Sequence, residues 1–457
     1  MPEDANDLPE RVWPSSADRD AAGVLSIAGA SVLDLARTHG TPVLVLDEQE
    51  VRTRARTTRE AFETAASAHG ATARVYYAGK AFLCTAVARW VREEGLNVDV
   101  CTRGELETAI AAGVEPEHIG FHGNNKSLAE LERAVSLGVG TIIVDSRDEI
   151  ERLADVTARL GAVQRVLIRV NSGVHAETHD FLATAHEDQK FGFAFEGARA
   201  AAARIREVPG LALVGLHCHI GSQIFGAAGF RESASRVLEL HAELSADGEL
   251  SQLNLGGGFG IAYTRVDDPD PIDELAAQIV AAVVEGCQSR GLSVPQLSFE
   301  PGRAIVGRAG VTLYEVGTLK DVQTGHGTRR YVSVDGGMSD NARPALYGAQ
   351  YSARIASRRG DGAPALTRVV GRHCESGDIV VDHEYLPGDI AVGDLLAVPA
   401  TGAYCASLSS NYNHVPRPAV VAVRDGVSRV IVRGETLDDL LARDAGIDLS
   451  VNAEGAR

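Results

Sequence analysis

Between about residue 75 and residue 300, short apolar runs alternate with longer stretches whose apolar positions recur at three- and four-residue spacing. The runs are RVYYAG (74–79), LNVDVC (96–101), IGFHG (119–123), TIIVDS (141–146), VLIRVN (166–171), LVGLHCH (213–219), QLNLGG (252–257) and QLSFEP (296–301). Each is bounded by glycine or polar residues, as a buried strand is. Between them lie helical patterns such as AFLCTAVARWVREEG (81–95) and SLAELERAVSLG (127–138), which close on glycine as helix C-termini prefer. Eight strand–helix units in about 230 residues predict a (β/α)8 TIM-like barrel. A doubly wound open sheet is the competing α/β layout, and it needs no particular strand count.

After about residue 308 the period changes. VTLYEVGTLKDV, RRYVSVDGG, ALTRVVG, DIVVD, DLLAVPA and AVVAVRDGVSRVIVR read as strands with little helix between them. The early run PVLVLD (42–47) is expected to join that sheet. The pattern thus predicts a barrel over 50–308, a β-rich sandwich- or barrel-like domain built from 20–49 and 309–446, and flexible termini at 1–19 and 447–457.

Composition narrows the class of protein. Of 457 residues, 45% are hydrophobic and 23% charged, which suits a water-soluble fold with a large core. The formal net charge of -18 argues against nucleic acid and anionic membrane as partners. Six cysteines (84, 101, 218, 287, 374 and 405) form no CxxC pair, which fits a reducing cytoplasm. The acidic stretch Met1 to Trp13 has no apolar run of the signal-peptide kind, and no segment is long and apolar enough to suggest a membrane span.

Chemistry concentrates at the strand ends. In a βα barrel the C-terminal ends of the strands carry the active site. Here they hold Lys80, then Asp99 and Cys101, His122, Asp145, Arg169 and Asn171, His219, Gly256–Gly258, and finally Glu300 and Arg303. Lys80 is either a surface lysine or a buried amine able to form an imine with a carbonyl. The glycines of NLGGGFG (254–260) form either a tight turn or a backbone cradle for a phosphate. Glu300-Pro301-Gly302-Arg303 is either a surface ion pair or a carboxylate and a guanidinium of the kind that a pyridine nitrogen and an anion need. His217 and His219 have a spacing that zinc can use. No further histidine cluster is expected at the other strand ends, so no metal is assigned, and an imidazole stacked on a flat cofactor accounts for His219.

Taken together, YAGK, HGNNK, HCHIGSQ, NLGGGFG, EPGR, DGGMSDNARPALY, CESGD and GAY resemble the fold-type III pyridoxal 5'-phosphate (PLP) decarboxylases, which share an alanine-racemase-like fold. Within them the chain resembles the branch that acts on diaminopimelate, and the stretch THDFLATAHEDQKFGF (178–193) resembles its actinobacterial type. The resemblance runs from about residue 40 to about residue 440.

It implies decarboxylation of meso-2,6-diaminopimelate to L-lysine and CO2, the last step of lysine biosynthesis, by a homodimer with active sites at its interface. Lys80 would hold PLP as a Schiff base and His219 would stack on the ring. Ser222, Gly256, Gly257 and Gly258 would bind the phosphate, and Glu300 the ring nitrogen. Arg303, Arg343 and Tyr347 would hold the substrate's distal carboxylate, with Arg303 also close to the cofactor. Cys374 would be the proton donor, supplied by the other subunit. Glu375 would read the distal ammonium, and Tyr404 would touch both cofactor and substrate.

Two positions depart from the family pattern: Ala78-Gly79-Lys80 replaces Ala-Ser-Lys, and Ser409-Ser410-Asn411-Tyr412-Asn413 replaces SSRYN, which removes a cation near the GAY segment. The alternatives are a sister decarboxylase of ornithine, arginine or a carboxylated polyamine precursor, a non-catalytic relative, and a metal-dependent barrel hydrolase built on His217 and His219.

Overall fold

A computed structural model of the protein describes residues 4–174, 190–325 and 327–446. Most of the actinobacterial-type stretch (178–189) and the tail at 447–457 lie outside the described residues. The chain divides into two compact units: a barrel unit of Val51–Ile261 and Asp267–Val306, and a β-rich unit of Met1–Glu50, Ala262–Val266 and Gly307–Arg457.

In the barrel unit, eight parallel strands close on one another: β1 (Ala73–Ala78), β2 (Asn97–Val100), β3 (Ile119–Phe121), β4 (Thr141–Val144), β5 (Gln164–Val170), β6 (Leu211–Cys218), β7 (Gln252–Asn254) and β8 (Gln296–Phe299), with β8 pairing β1. This is the expected (β/α)8 layout, and closure rules out the open sheet. Val98, Val100, Ile142, Val144, Val166 and Ile168 are fully buried, as strands covered on both faces require.

Helices follow the first seven strands, and one turn (Arg303–Val306) follows β8. Their ends were written into the sequence. Leu128–Leu137 opens on a capping box of Ser127 and Glu130 and closes on the left-handed Gly138. Lys80 differs from expectation in its setting. It lies in a 3-10 turn (Gly79–Ala81), and the helix begins only at Thr85, because Phe82 and Cys84 are extended. The Tyr77 hydroxyl donates to Phe82 O (2.6 Å) and ties that turn to β1.

The β-rich unit contains a nine-stranded sheet. Its main path runs Ile379–Pro387, Pro364–Val370, Gly327–Val334, Gly310–Thr324, Val43–Asp47, Val420–Arg424 and Val427–Val432, and Leu395–Pro399 pairs with both Gly310–Thr324 and Arg354–Ile355. The early run joins this sheet, as expected: Val43–Asp47 pairs antiparallel with Gly310–Thr324 and parallel with Val420–Arg424.

The N-terminal segment corrects the expectation of a flexible 1–19. Val12 and Trp13 are buried in the core with Leu25, Ile27, Val45, Leu313 and Val423. Burying an indole and its apolar neighbours outweighs ordering a short stretch that carries no periodicity. Ala262–Val266, an excursion out of the barrel sequence, was also not visible as part of this unit.

Candidate active site

The barrel rim gathers the expected groups by strand pairing. Phe299 is in register with Val75, and Ala78 N donates to Pro301 O (3.1 Å), so Lys80 and Glu300 end neighbouring strands. Lys80 is exposed on the rim rather than buried. Gly79 packs tightly beneath it: a Cβ there would stand 2.8 Å from Asp99 O. The family serine at this position would therefore require the strand end to shift.

Glu300 is buried, and its two oxygens have different surroundings. Oε1 accepts from Asn254 Nδ2 (2.7 Å) and lies 3.2 Å from His122 Nε2 and 3.3 Å from His217 Nε2. Oε2 has His217 Nε2 at 3.3 Å. His122 Nε2 is also 3.3 Å from Asp99 Oδ1. Burial opposes a charge on His122, but Glu300 and Asp99 outweigh it and hold the imidazole up at about 9. Burial, then the neighbouring Glu300, pushes Asp99 up to about 7. His217 is pulled down to about 4 by burial, so it is neutral, and facing a carboxylate it carries its proton on Nε2. Burial raises the carboxyl of Glu300, yet His122 and His217 overcome this and keep it well below the usual carboxylate range.

His122 and Glu300 correct the expectation that no further histidine or carboxylate cluster from the other strand ends would join His217: the two imidazole rings lie 5.0 Å apart, edge to face. Inward side chains of different strands meet inside a barrel, which linear order hides. The facing atoms of His122, His217 and Glu300 lie within 4.8 Å of one another, a spacing that a metal ion could use. His122 Nε2 also stands between the carboxylates of Asp99 and Glu300, an arrangement that favours an imidazolium there.

The glycine run and the HCHIGSQ loop form one cradle. Gly256 (φ +69°) and Gly258 (φ +117°) adopt the left-handed region, and a Cβ on Gly257 would come 2.1 Å from Glu300 O. Ile224 N donates to Gly258 O (2.9 Å), and Arg303 Nη2 donates to Ser222 Oγ (2.8 Å) beside them. Gly257 N donates to His219 Nδ1 (3.3 Å), which fixes that ring and puts its proton on Nε2. Burial, then Lys80 and Arg169, hold His219 well below its ordinary value, so it presents a neutral face. Asn254, absent from the expected site, links the two halves, since its Oδ1 accepts from Gly256 N (2.8 Å) while its amide grips Glu300. Its position just before the glycines was the available signal.

In the β-rich unit, Arg343 is buried against three tyrosines, with its guanidinium carbon 4.7, 5.5 and 5.8 Å from the rings of Tyr263, Tyr351 and Tyr404. It donates to the Tyr351 hydroxyl. Tyr404 is held at φ +68°, a strained conformation for a non-glycine residue and one that clusters at functional sites. Tyr347 ends the same short helix as Arg343 and is 67% exposed. Tyr263 and Tyr351 were missed in the sequence.

Cys374 and Glu375 are exposed on a turn anchored by His373. His373 Nε2 meets Ser339 Oγ (2.8 Å), its Nδ1 meets Asn413 Oδ1 (3.1 Å), and its N–H donates to Asp378 (2.7 Å). Asn411, which replaces the family arginine, donates to Glu435 (2.5 Å), and Arg417 pairs with that same carboxylate, so a guanidinium still serves the segment.

A barrel with an amine at one strand end, a glycine–serine–arginine cradle for an anion and a buried carboxylate at the next strand end has the elements that pyridoxal phosphate needs. Residues 49–307 match the pyridoxal binding domain of the pyridoxal-dependent decarboxylases. The chain is 53% identical over 446 residues to diaminopimelate decarboxylase of Mycobacterium tuberculosis, covering 95% of this chain and 98% of the relative. It is 50% identical over 448 residues to that of Corynebacterium efficiens, covering 96% and 95%. A crystal structure of the M. jannaschii diaminopimelate decarboxylase superposes with a TM-score of 0.88 at 30% identity, covering 95% of this chain and 99% of that one. The chain belongs to the diaminopimelate decarboxylase family.

Proposed function

We propose that this protein decarboxylates meso-2,6-diaminopimelate to L-lysine and CO2, the closing step of lysine biosynthesis, with pyridoxal phosphate carried on Lys80. The observation that carries the reading is Glu300, a buried anion whose Oε1 is gripped by Asn254 while its neighbours keep it ionised. When bound, pyridoxal phosphate supplies an electron sink for the pair of electrons left as the carboxylate departs as CO2. Lys80 provides the amine that holds the cofactor and takes it back after turnover. Glu300 would keep the ring nitrogen protonated, and neutral His219 would offer a flat face to the ring. Ser222, Arg303 and the N–H groups of Gly256–Gly258 hold the phosphate.

Cys374 Sγ delivers the proton to Cα. Arg343, Arg303 and Tyr347 bind the distal carboxylate, Glu375 binds the distal ammonium, and Tyr404 contacts cofactor and substrate. The burial of Arg343 among tyrosines favours diaminopimelate over ornithine or arginine, because a substrate without the second carboxylate would leave a buried cation without its anion. The working form is a homodimer in which Cys374 comes from the partner. Exposed Leu346, Tyr347, Leu408 and Tyr412 near the substrate motifs support such an interface. A cytoplasmic setting agrees with six free cysteines, one of which must act as a thiol. Among the described residues no helix is long and apolar enough to cross a membrane.

Replacing Lys80 with alanine tests the assignment. The visible absorbance of the bound cofactor and turnover should both disappear. Retention of both would overturn it.

A further inference from the structure

Asp99 raises a question that the reaction itself does not answer. It is 5% exposed, and among the described residues neither carboxylate oxygen has a hydrogen-bond partner of good geometry. A buried carboxylate so placed is costly unless a charge compensates it. That charge is His122, whose Nε2 stands 3.3 Å from Asp99 and 3.2 Å from Glu300. We infer that Asp99 and His122 form a positioning pair that keeps Glu300 a single buried anion able to serve a cationic ring nitrogen. The inference rests on the reading of Glu300 given above.

The argument is one of charge. When Asp99 is ionised, it and protonated His122 neutralise each other, and His217 is neutral, so the cluster retains one net negative charge on Glu300. That charge matches a single positive charge on the ring nitrogen. An imidazolium beside Glu300 also makes the carboxylate a weaker base, so a proton between carboxylate and ring stays on the ring. His122 and Asn254 both approach Oε1, so that oxygen is the one held by the barrel.

The other charged and titratable groups near the pair do not substitute for it. Tyr76 is pushed up to about 12, by burial first and then by Asp99, so its phenol stays neutral. Arg169 is engaged with Phe191 (4.4 Å) and Asp145 (4.0 Å). Lys80 also acts on Asp99, but it is the residue that the cofactor occupies. Removing His122 alone leaves two neighbouring carboxylates that compete for one proton, so Glu300 carries the negative charge only part of the time. Removing Asp99 alone lets His122 cancel Glu300. Removing both restores a lone anion.

The test is the 15N chemical shift of ring-labelled pyridoxal phosphate bound to the full-length holoenzyme, which separates a protonated from an unprotonated ring nitrogen. The wild type should show the protonated shift, and Glu300→Gln should lose it. Asp99→Asn and His122→Gln should each lose part of it with the cofactor still bound, and the double variant should recover toward the wild type. Recovery in the double variant is a result that a merely structural role would not produce. If Glu300→Gln changes the shift while Asp99→Asn and His122→Gln leave it at the wild-type value, the inference fails and the reading of Glu300 stands. If Glu300→Gln has no effect, that reading fails. Should either single variant fold poorly, the other single variant and the double variant still decide the matter.

Discussion

Glu300 has two oxygens, and the barrel gives them different neighbours. Asn254 donates to Oε1 and His122 approaches it, while His217 lies 3.3 Å from both oxygens. Arg343 shows the same economy in the other unit, where three tyrosine rings hold a guanidinium that must stay charged and aimed. Truncating Arg343 to alanine should remove about 1.5–3 kcal/mol of interaction with the distal carboxylate, roughly a 10- to 100-fold rise in KM for diaminopimelate. Affinity for pyridoxal phosphate should hardly change. Equal losses in both titrations would remove Arg343 from substrate recognition. At this scale, Lys80, Glu300 and the glycine run were legible because chemistry at βα strand ends is informative by position. The contacts of His122 and Asn254 with Glu300, and of Asp99 with His122, were not legible, since they join inward side chains from separate strands. Tyr263 and Tyr351 carried no motif of their own.

At the scale of elements, the loop after β3 is fixed by a buried ion pair. Lys126, 2% exposed, donates to Glu149 (2.7 Å), Ile143 O (2.7 Å) and Gly123 O (2.8 Å). Glu149 also accepts from Asp145 N (3.1 Å), so one pair ties the end of β4 to the loop that begins at His122. Lys126→Ala would leave Glu149 buried without its cation and should destabilise the protein by about 3–5 kcal/mol. Chemical denaturation of the variant checks this, and a loss under about 1 kcal/mol would mean that the pair is solvated. The helices on either side were readable from caps such as Ser127–Glu130 and Gly138. The turn at Lys80 was not, because an amphipathic pattern does not show that Phe82 to Cys84 are extended before the helix starts.

At the scale of the whole molecule, short apolar runs alternating with stretches of helical spacing marked the barrel, and the change near residue 308 marked the second unit. What escaped was the N-terminal segment. Val12 and Trp13 join the core of the β-rich unit although the residues around them show neither period. The proposed homodimer belongs to this scale as well. Sedimentation of the holoenzyme should give twice the chain mass, and a fully active monomer would exclude a proton donor from a partner.

The central claim is tested most directly by incubating purified protein and pyridoxal phosphate with meso-diaminopimelate and measuring CO2 together with the amino-acid product. One lysine should appear for each CO2, and ornithine and arginine should give little CO2 by comparison. Absence of CO2 from diaminopimelate, or equal release from ornithine, would contradict the account.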